Sequence, residues 1–600
     1  MTRQLDNARI CGRDQVAAQA YVLANRGCRF LLIALAGSSV PAVTLAQSPP
    51  AEVRSVPSKG AAASADASYL AAEFSRFSPR TALDILQQVP GFTIQREADS
   101  RGLGGASGNV VVNGRRISGK SNDVLTELKK IPAANVVRID VVDASSIDAP
   151  GLAGRVANVI VTSEGFRAQF EWRPEFRVRD TSPVLLNGGV SASGAIGPIA
   201  YVVGLRNDAI RNRAAGTTTI LDAAGLLVEE RREHILPSVD RARASGSFTY
   251  EDPSGGVANL NLSYGLSWFR NTEFSERSGP GKVDSLRQLS RNENERSYEL
   301  GGDYQFALWG GQLKLIALHQ LEHSPTLSVA TTSFADLQPD TGERFDRISD
   351  EKETIVRAEY GWRAGDADWR LSAEGAMNSL DNTGRLFTLR PNGAFEEMPL
   401  AGGTATIAED RFELTAGHSR SLGSRLTVQL SAGGEYSQLR QSGPLGLTRT
   451  FYRPKGSLSA AWKVSPELNI NAKIERKVGQ LSFFDLLASV NLVDDRVNGS
   501  NPDLVPPQSW EAEATAVRNL GGWGQATLRG YGRSISDIID QIPIGETGEG
   551  PGNAGRATVY GIEARSTINF DPIGWQGAKL DAQVQLQKSS MNDPLTGERR

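Results

Sequence analysis

The strongest structural signal in the chain is a ten-residue stretch, Asn259-Leu260-Asn261-Leu262-Ser263-Tyr264-Gly265-Leu266-Ser267-Trp268. Every even position is apolar, and every odd position is polar or small. A repeat of two residues is the period of a β-strand, so the stretch predicts a strand with one apolar and one polar face. The apolar face points inward in a soluble β-sandwich and outward to lipid in a membrane barrel, so its direction decides the class of protein.

The same alternation continues to about residue 590, and two hairpins show it well. The apolar runs 356–362 and 458–462 lead into tight turns, and the runs 369–375 and 468–474 lead out of them. Tyrosine and tryptophan stand beside these turns, as in the aromatic girdle of a membrane barrel. The opposite faces are rich in charge, which suits a water-filled lumen better than a dry core.

Turn lengths give a second indication of a barrel. Short turns alternate with long polar links, the short ones at 251–256, 363–368 and 421–424 and the long ones at 271–293, 333–350 and 478–508. Outer-membrane barrels have this asymmetry, with short periplasmic turns and longer extracellular loops. We therefore predict a transmembrane antiparallel β-barrel in contact with outer-membrane lipid.

The barrel prediction assigns a direction to individual side chains. Predicted to face lipid are Leu260, Leu262, Leu266, Leu468, Ile470 and Ile474, and predicted to face the lumen are Asn259, Asn261, Asn469 and Lys473.

The N-terminus reads as a secretory signal peptide. Arg26 and Arg29 precede the apolar run 30–36, and Thr44-Leu45-Ala46 offers a cleavage site before Gln47. Both cysteines, Cys11 and Cys28, lie upstream of that site, which argues against disulfide staples and cysteine-ligated metal in the mature chain. A net charge of −3 without a basic block argues against a nucleic-acid partner.

Four regions follow from these patterns. They are the signal peptide at 1–46, a flexible Ala/Ser/Pro-rich leader at 47–68, a small α/β domain at 69–164 and the barrel at 165–600. In the α/β domain, Ser78-Pro79 predicts the start of a helix over 80–88, and Asn113-Gly114 predicts a tight turn after the strand 109–112. Leu125 and Leu128 predict a second helix, and two further strands are predicted at 136–142 and 159–161.

The order of the motifs resembles the TonB-dependent outer-membrane receptors, which place an N-terminal α/β plug domain inside the barrel lumen. The resemblance is carried by Thr81 to Phe92, ending in Val89-Pro90-Gly91-Phe92, by Gly105 to Arg116, by Ile131 to Val141, by Ala157 to Ile160, and by Asn553 to Ala564. It covers roughly residues 69 to 600. One departure is the stretch 143–151, where the family often has a Gly-Pro-Ser and Tyr-Gly segment.

The resemblance implies a function and a partner. It implies a monomeric receptor in the outer membrane of a Gram-negative bacterium that imports a scarce solute, a siderophore-like chelate, an oligosaccharide or similar, by energy-coupled plug rearrangement. The inner-membrane protein TonB would supply the energy, through a coupling segment for which 51–56 is the candidate and plain linker the alternative. Candidate plug-motif and coupling residues are Asp84, Pro90, Gly91, Phe92, Asn113, Gly114, Arg115, Arg116, Arg138, Asp140 and Asn158. The charged members of this set form ion pairs with the barrel wall or are solvated, and the sequence favours neither.

Other motifs carry less weight. The glycine-rich run 102–108 lacks the Lys-Ser/Thr of a phosphate loop, so we predict no cofactor. His319 and His323 share a strand face about 13 Å apart, too far for one metal ion, which leaves a lumen or rim position. No spacing indicates a catalytic triad or a carboxylate pair, so we predict no metal site and no enzyme.

Two other functions remain open at this stage. One is a passive outer-membrane binding or adhesion protein on the same scaffold, and the other is a soluble periplasmic β-protein. The sequence names no substrate.

The last strand-like run ends in loop residues at 593–597, and about 16 to 18 strand-like runs follow Phe166 against about 22 in plugged transporters. We therefore expect C-terminal strands to be missing and the barrel wall to be open.

Overall fold

The computed structural model describes residues 67–89, 92, 94, 109–114, 124–143, 155–162, 165–177, 181–336, 338–443, 446–492, 496–544 and 548–600. Outside these residues lie the predicted signal peptide, the leader up to residue 66, the glycine-rich run 102–108, and the candidate residues Pro90, Gly91, Arg115 and Arg116. Among the helices of the described part, none is long and apolar enough to cross a membrane.

The N-terminal domain is a small α/β unit. Its elements are β1 (Ala67–Leu70), α1 (Ala82–Leu86), β2 (Val110–Val112), α2 (Val124–Lys130), β3 (Val136–Asp143) and β4 (Arg155–Val161). The sheet has the order β1-β3-β4-β2, in which β2 runs parallel to β4 and the other pairs are antiparallel. Its core comprises Phe74, Leu83, Ile85, Leu86, Leu128, Ile139, Val141 and Val159. The predicted second helix and the three predicted strands are confirmed, with β4 beginning four residues early.

Two details of this domain differ from the prediction. The first helix begins at Ala82, with Thr81 as its N-cap, whereas Ser78 has φ 49° and ends a preceding 3₁₀ turn over Ala71–Phe77. The reason is that Thr81 and Asp84 form a reciprocal capping box, which Ser78 and Pro79 cannot match. Ala67 and Ser68, assigned to the leader, instead pair with Val141 and Asp140 in the sheet.

The remaining strands form the barrel and its loops. They are β5 (Arg167–Trp172), β6 (Gly188–Ile196), β7 (Ile199–Arg211), β8 (Ala214–Leu221), β9 (Leu227–Glu251), β10 (Val257–Ser278), β11 (Ser285–Leu308), β12 (Gly311–Phe334), β13 (Thr341–Ala364), β14 (Ala367–Leu389), β15 (Phe395–Met398), β16 (Thr404–Leu422), β17 (Leu426–Gln441), β18 (Leu447–Ser465), β19 (Leu468–Val478), β20 (Ser489–Asn491), β21 (Arg496–Asn498), β22 (Gln508–Asn519), β23 (Gly524–Ser536), β24 (Ile539–Ile544), β25 (Gly548–Asn553), β26 (Arg556–Asn569) and β27 (Lys579–Met591).

The long strands follow the circumference of a barrel in chain order. Antiparallel registers run from the pairing of β5 with β6 to the pairing of β26 with β27. Among the described strands, no residue register joins β27 to β5, so the wall is open at this one step, as predicted.

The two faces of the wall alternate as the sequence predicts. On β10, Leu260 and Leu262 are 42% and 40% exposed on the outer surface, whereas Asn261 between them is 5% exposed and faces the lumen. On β19, Ile474 is exposed outside, and the Lys473 ammonium lies 2.9 Å from Glu475 on the inner face. Leu266, Leu468, Ile470 and Asn469 are partly exposed.

The wall is taller than a bilayer requires. Strands β9 to β14 have 22 to 25 residues each, whereas about 9–11 residues span the hydrocarbon. Strands β10 to β13 continue through most of the links predicted at 271–293 and 333–350, so these two links are shorter than predicted. At this end of the wall, opposite the short turns, the outer face carries exposed ion pairs such as Lys352–Asp381 at 3.3 Å and Arg440–Asp410 at 2.6 Å. This charged part of the wall continues beyond the apolar band.

Candidate functional site

The N-terminal domain lies inside the barrel and contacts its inner wall. Asn135 donates a 3.2 Å hydrogen bond from Nδ2 to Ser193 Oγ, and Ser191 donates from Oγ to the Lys130 carbonyl at 3.3 Å. Ser191 and Ser193 are on the lumen face of β6, because Val190, of opposite parity, is exposed outside. The domain is therefore a plug, as predicted.

Asp84, one of the candidate residues, caps helix α1. Its Oδ2 accepts hydrogen bonds from the backbone N–H groups of Arg80 and Thr81 at 2.9 and 3.0 Å. Thr81 Oγ1 in turn accepts from the Asp84 N–H at 3.2 Å. These bonds satisfy donors that a helix start leaves without partners, so the contacts of Asp84 are structural.

Three further candidates meet at one turn. Asn113 and Gly114 both have positive φ, 50° and 74°, as the tight turn after β2 requires. Asn113 Oδ1 accepts from the Val161 N–H at 2.8 Å, and Asn158 Oδ1 accepts from the Gly114 N–H at 2.7 Å. The turn thus fastens β2 to β4 through side chains as well as through the sheet.

Arg138 and Asp140 pair with each other on β3. The Arg138 Nε lies 2.9 Å from Asp140 Oδ2, and Ser68 Oγ donates to Asp140 Oδ1 at 2.6 Å. The sequence left open whether these charges form ion pairs with the barrel wall or are solvated, and the contacts that the structure gives Arg138 and Asp140 lie within the plug.

A polar cavity of about 680 Å³ separates one side of the plug from the wall. Gln87, Gln88, Val89, Phe92, Ile94, Asn109 and Arg155 line it from the plug, and residues including Thr427, Gln429, Asn471, Lys473, Glu513, Thr515, Thr527, Arg529, Glu563, Lys579 and Asp581 line it from the wall. Among the candidate plug-motif and coupling residues that the structure describes, Phe92 borders this space. Amide and hydroxyl side chains are the most numerous kind in the lining, beside apolar ones such as Val89 and Val517, so the cavity can hydrogen-bond water or a polar solute.

The charges on the cavity wall are compensated locally. Glu513 lies 2.7 Å from Arg529, and Glu563 lies 3.6 Å from the same guanidinium. Lys579 lies 3.1 Å from Asp581 and also donates to Gln88 Oε1 of the plug at 3.5 Å. A solute in the cavity therefore meets paired charges and neutral polar groups.

A buried network of ion pairs crosses the inner face of β13, β14, β16, β17 and β18. The pairs are Arg357–Glu359 at 2.5 Å, Arg357–Glu374 at 3.1 Å, Arg411–Glu374 at 2.6 Å, Arg411–Glu435 at 3.6 Å, Lys455–Glu435 at 2.7 Å and Lys455–Glu413 at 2.6 Å. Because each carboxylate has a cationic neighbour, this part of the wall keeps its charges buried without isolating one of them.

The long connection between β19 and β22, which we call the inner loop (479–507), folds into the barrel. Its Leu481, Phe483 and Leu486 pack against Leu380 and Ile407 of the wall. A second apolar cluster joins Val490 and Leu492 of the loop to the wall strands. The loop therefore lines the lumen on the side of the long loops.

Polar side chains of the wall hold the backbone of the inner loop. Arg449 Nη1 donates to the Leu504 carbonyl at 2.8 Å, and Arg453 Nη1 donates to the Pro506 carbonyl at 2.8 Å. Arg287 donates to the Leu492 carbonyl in the same way. Because guanidinium–carbonyl bonds involve a full charge, they hold the loop more firmly than neutral bonds would.

Asp485 is an acidic group within the inner loop. It lies in the 3₁₀ turn Phe483–Leu486, and burial raises the pKa of its carboxyl from the ordinary 3.8 to about 6. On the adjacent residue, the Phe484 ring lies 5.1 Å from the Arg347 guanidinium. The loop thus carries a partly buried carboxyl that is harder to ionise than an exposed one.

A small sheet joins the inner loop to the connection between β23 and β26. Its order is β20-β21-β25-β24. Asn553 on β25 accepts from the Val505 N–H at 2.9 Å and donates to the Val505 and Asp537 carbonyls at 2.9 and 2.8 Å. Two connections at this end of the barrel therefore behave as one structured unit.

His319 and His323 lie on the outer face of β12, like the exposed Leu315 and Leu327, so a lumen position for them is wrong. His319 Nδ1 lies 2.9 Å from Thr354 Oγ1, and His323 Nδ1 lies 2.7 Å from Asp350 Oδ1. Each thus has its own neighbour on β13. Within the described ranges, no three His, Cys, Asp or Glu residues are grouped to hold a metal ion.

Sequence reasoning missed the residues that fix the inner loop. Arg449, Phe451 and Arg453 alternate on the lumen face of β18, and both guanidiniums lie about 5 Å from the Phe451 ring, at 5.2 and 5.0 Å. The period-two spacing of these arginines was the available signal. Their partners are more than fifty residues away, which no local pattern reveals.

Comparison with known families identifies the class of protein. A TonB dependent receptor-like β-barrel model matches residues 234–597, and a TonB-dependent receptor plug domain model matches residues 58–171. The barrel match covers more than half of the chain, so the chain belongs to the TonB-dependent receptor family. This family consists of transport receptors and not of enzymes. No curated protein is significantly similar in sequence.

Several solved structures are similar to the chain. The copper transporter OprC is 13% identical with a TM-score of 0.47, covering 85% of this chain and 77% of OprC. The siderophore receptor PirA from Pseudomonas aeruginosa is 13% identical with a TM-score of 0.46, covering 88% and 85%. The ferric yersiniabactin uptake receptor FyuA from Yersinia pestis is 14% identical with a TM-score of 0.43, covering 88% and 78%.

Proposed function

We propose that this chain is a receptor in the outer membrane of a Gram-negative bacterium that imports a scarce solute by energy-coupled rearrangement of its plug. The observation that carries the proposal is the polar cavity of about 680 Å³ between plug and wall. A plug with an apolar, tightly packed contact all round would block the barrel permanently. A polar, partly open contact can be widened, since water replaces the hydrogen bonds that are broken.

The position of β1 suggests how energy reaches the plug. β1 is an edge strand of the plug sheet and pairs with β3 over four residues, Ala67 to Leu70. The leader that precedes it is the segment on which TonB would pull. A pull on that segment acts first on these four pairings, and the rest of the sheet is loaded only after they part. The rest of the plug then moves away from the wall that lines the cavity.

A reversible cross-link tests whether the plug must move. Asn135 and Ser193 are in hydrogen-bond contact across the plug–wall contact. In N135C/S193C, a bis-methanethiosulfonate linker would tie plug to wall, and a reductant would release it. Native cysteines do not interfere, because Cys11 and Cys28 lie in the predicted signal peptide.

The readout is growth of the producing cells on ferric chelates, oligosaccharides or peptides as the sole source of iron or carbon. We expect the cross-linked variant to lose uptake and to regain it when reductant is added. The linker should not affect uptake by the single variants N135C and S193C. Uptake that persists in the cross-linked protein would contradict the proposal.

The passive binding alternative makes a different prediction. A binding protein would retain its solute at the cell surface after deletion of residues 47–60 or of TonB, and neither deletion would change uptake. An import receptor loses uptake in both cases. The exposed apolar band of the wall argues against the soluble periplasmic alternative, because such a band is stable against lipid.

A further inference from the structure

A groove of about 760 Å³ runs along the outer surface of β6, β7, β9, β10 and β11. Small residues, Ala192, Ala244 and Gly246, line it together with larger ones such as Leu262 and Tyr298. At Gly246 a Cβ atom would lie 3.0 Å from the Phe248 ring, so a larger residue there would crowd that ring. Its lining is almost wholly apolar and lies on the face that we assign to lipid.

Two arginines stand at the end of this groove that is nearer the long loops. Arg296 is two residues from Tyr298 on β11, so both side chains are on the outer face. Arg270 on β10 donates from Nη1 to Asn294 Oδ1 at 2.8 Å and to the Phe269 carbonyl at 2.9 Å. In the register of the two strands, Arg296 is opposite Leu266 and Arg270 is opposite Asn292, so the two arginines lie on either side of the Trp268–Asn294 pair.

These arginines differ from others on the outer face. The guanidiniums of Arg344, Arg385 and Arg440 each pair with a carboxylate, those of Asp346, Glu397 and Asp410. Within the described part of the chain, no carboxylate lies within 4.0 Å of the Arg270 or Arg296 guanidinium. Two positive charges therefore remain available at one place on the surface.

The aromatic residues beside the arginines set their level in the membrane. Trp268 and Tyr298 are 39% and 41% exposed on the outer face, and Trp268 is opposite Asn294 in the register of β10 and β11. Exposed tryptophan and tyrosine mark the boundary between hydrocarbon and headgroups. Arg270 lies one outward-facing pair beyond Trp268 and Arg296 one pair before it, so the two arginines flank this boundary, next to the lipid phosphates.

We propose that Arg270, Arg296 and the groove form a binding site for one phosphorylated lipid of the outer leaflet. The guanidiniums bind the phosphate and an acyl chain occupies the groove. Arginine binds phosphate through charge-assisted, often bidentate hydrogen bonds, which suits two guanidiniums without carboxylates. A lipid fits better than a soluble anion because the charged end continues directly into an apolar groove. This inference rests on the proposed outer-membrane location.

Native mass spectrometry of the full chain in dodecyl maltoside micelles tests the site. The probes are lipid A with two phosphates, the same lipid A after dephosphorylation, phosphatidylethanolamine and inorganic phosphate. We expect a one-to-one adduct with the bisphosphorylated lipid and binding at least about ten-fold weaker for dephosphorylated lipid A, which is the loss of one charge-assisted bond. Phosphatidylethanolamine, whose single phosphodiester charge is balanced by its own ammonium group, should bind more weakly than the bisphosphorylated lipid. Inorganic phosphate alone should give no adduct.

Variants separate the two parts of the site. R270Q/R296Q should weaken the lipid adduct about ten-fold or more, and A244L should weaken it by filling the groove while leaving both arginines in place. R385Q is the matched control, since its guanidinium is paired with Glu397, and it should bind as the parent does. Thermal unfolding monitored by circular dichroism checks that each variant is folded.

Equal binding of phosphorylated and dephosphorylated lipid, or an unchanged adduct in R270Q/R296Q, would overturn the proposal. An adduct with inorganic phosphate as strong as with lipid would replace the lipid site by a soluble-anion site. The measurement needs no transport, so a protein that fails to import but binds the lipid would refute the proposed function alone.

Discussion

The indole rings of Trp362 and Trp369 stack across the β13–β14 hairpin, with centroids 6.3 Å apart and planes inclined by 13°. The two residues are directly opposite in register, and Tyr360 stacks on Trp362 at 5.5 Å. All three lie beside the short turn on the outer face. An aromatic group at this position marks one edge of the lipid-facing band, so the apolar residues farther along the strands belong to the hydrocarbon.

The orientation of β10 gives the first prediction. Leu262 is 40% exposed on the outer face. Replacing it by arginine puts a charge near the middle of the bilayer, which should lower the free energy of unfolding by about 2–4 kcal/mol. Urea unfolding of the protein folded into lipid vesicles measures this.

Asn261 is the neighbouring control. It faces the lumen and is 5% exposed, so N261S adds no charge to lipid and should change the unfolding free energy far less than L262R. Equal losses at the two positions would mean that the faces are assigned wrongly.

The barrel faces could be predicted because lipid and lumen impose opposite requirements on successive residues. Along 259–268 no position breaks the alternation, and the structure keeps it. The Asn113-Gly114 turn was equally readable, since both residues must adopt positive φ there.

The start of the first helix was harder to predict, because two competing N-cap residues lie three positions apart in the sequence. Ser78-Pro79 fits the preference for proline at the first helical position, but Thr81 and Asp84 satisfy donors reciprocally and therefore determine the start.

The sequence predicted a long link at 478–508, but its folding into the barrel could not be predicted, because its residues follow no period. Leu481, Phe483 and Leu486 find their partners on strands that lie far away in the sequence. The lining of the candidate cavity could be predicted in part. Phe92 was named as a plug-motif residue, whereas Gln88 and Lys579 come into contact only in the folded chain.

The second prediction separates a capping role of Asp84 from a coupling role. D84A removes the acceptor of two backbone N–H groups, so it should lower the local free energy of unfolding of α1 by about 1–2 kcal/mol. D84N keeps a carbonyl acceptor and should retain most of that stability together with uptake. Hydrogen exchange at residues 82–86 measures the stability. Loss of uptake in D84N with unchanged exchange would instead assign Asp84 to coupling.

The third prediction concerns the bonds that hold the inner loop. R449A removes the donor to the Leu504 carbonyl, a charge-assisted bond of about 1.5–3 kcal/mol. We expect faster hydrogen exchange and faster proteolysis at 500–507, with the wall strands unchanged. Arg440 is the control, because its guanidinium pairs with Asp410 on the outer face and does not contact the loop. A loop equally protected in R449A and R440A would show that apolar packing alone holds it.

The last prediction is a pH dependence of the inner loop. Burial raises the pKa of Asp485 from 3.8 to about 6 when the loop is docked. The docked state therefore favours the protonated carboxyl, so its stability is full below about pH 3.8 and is lost as the pH rises through 6. A difference of about two pKa units corresponds to roughly 3 kcal/mol.

A nitroxide on N491C, an exposed loop position, reports this change by electron paramagnetic resonance. We expect the label to become more mobile as the pH rises from about 4 through 6, the window set by the two pKa values. D485N cannot ionise, so the loop of that variant should stay as immobile at pH 7 as the parent loop is at pH 4. D503N changes an exposed carboxyl of the same loop and should keep the parental profile. A profile that D485N leaves unaltered would show that another group controls the docking of the loop.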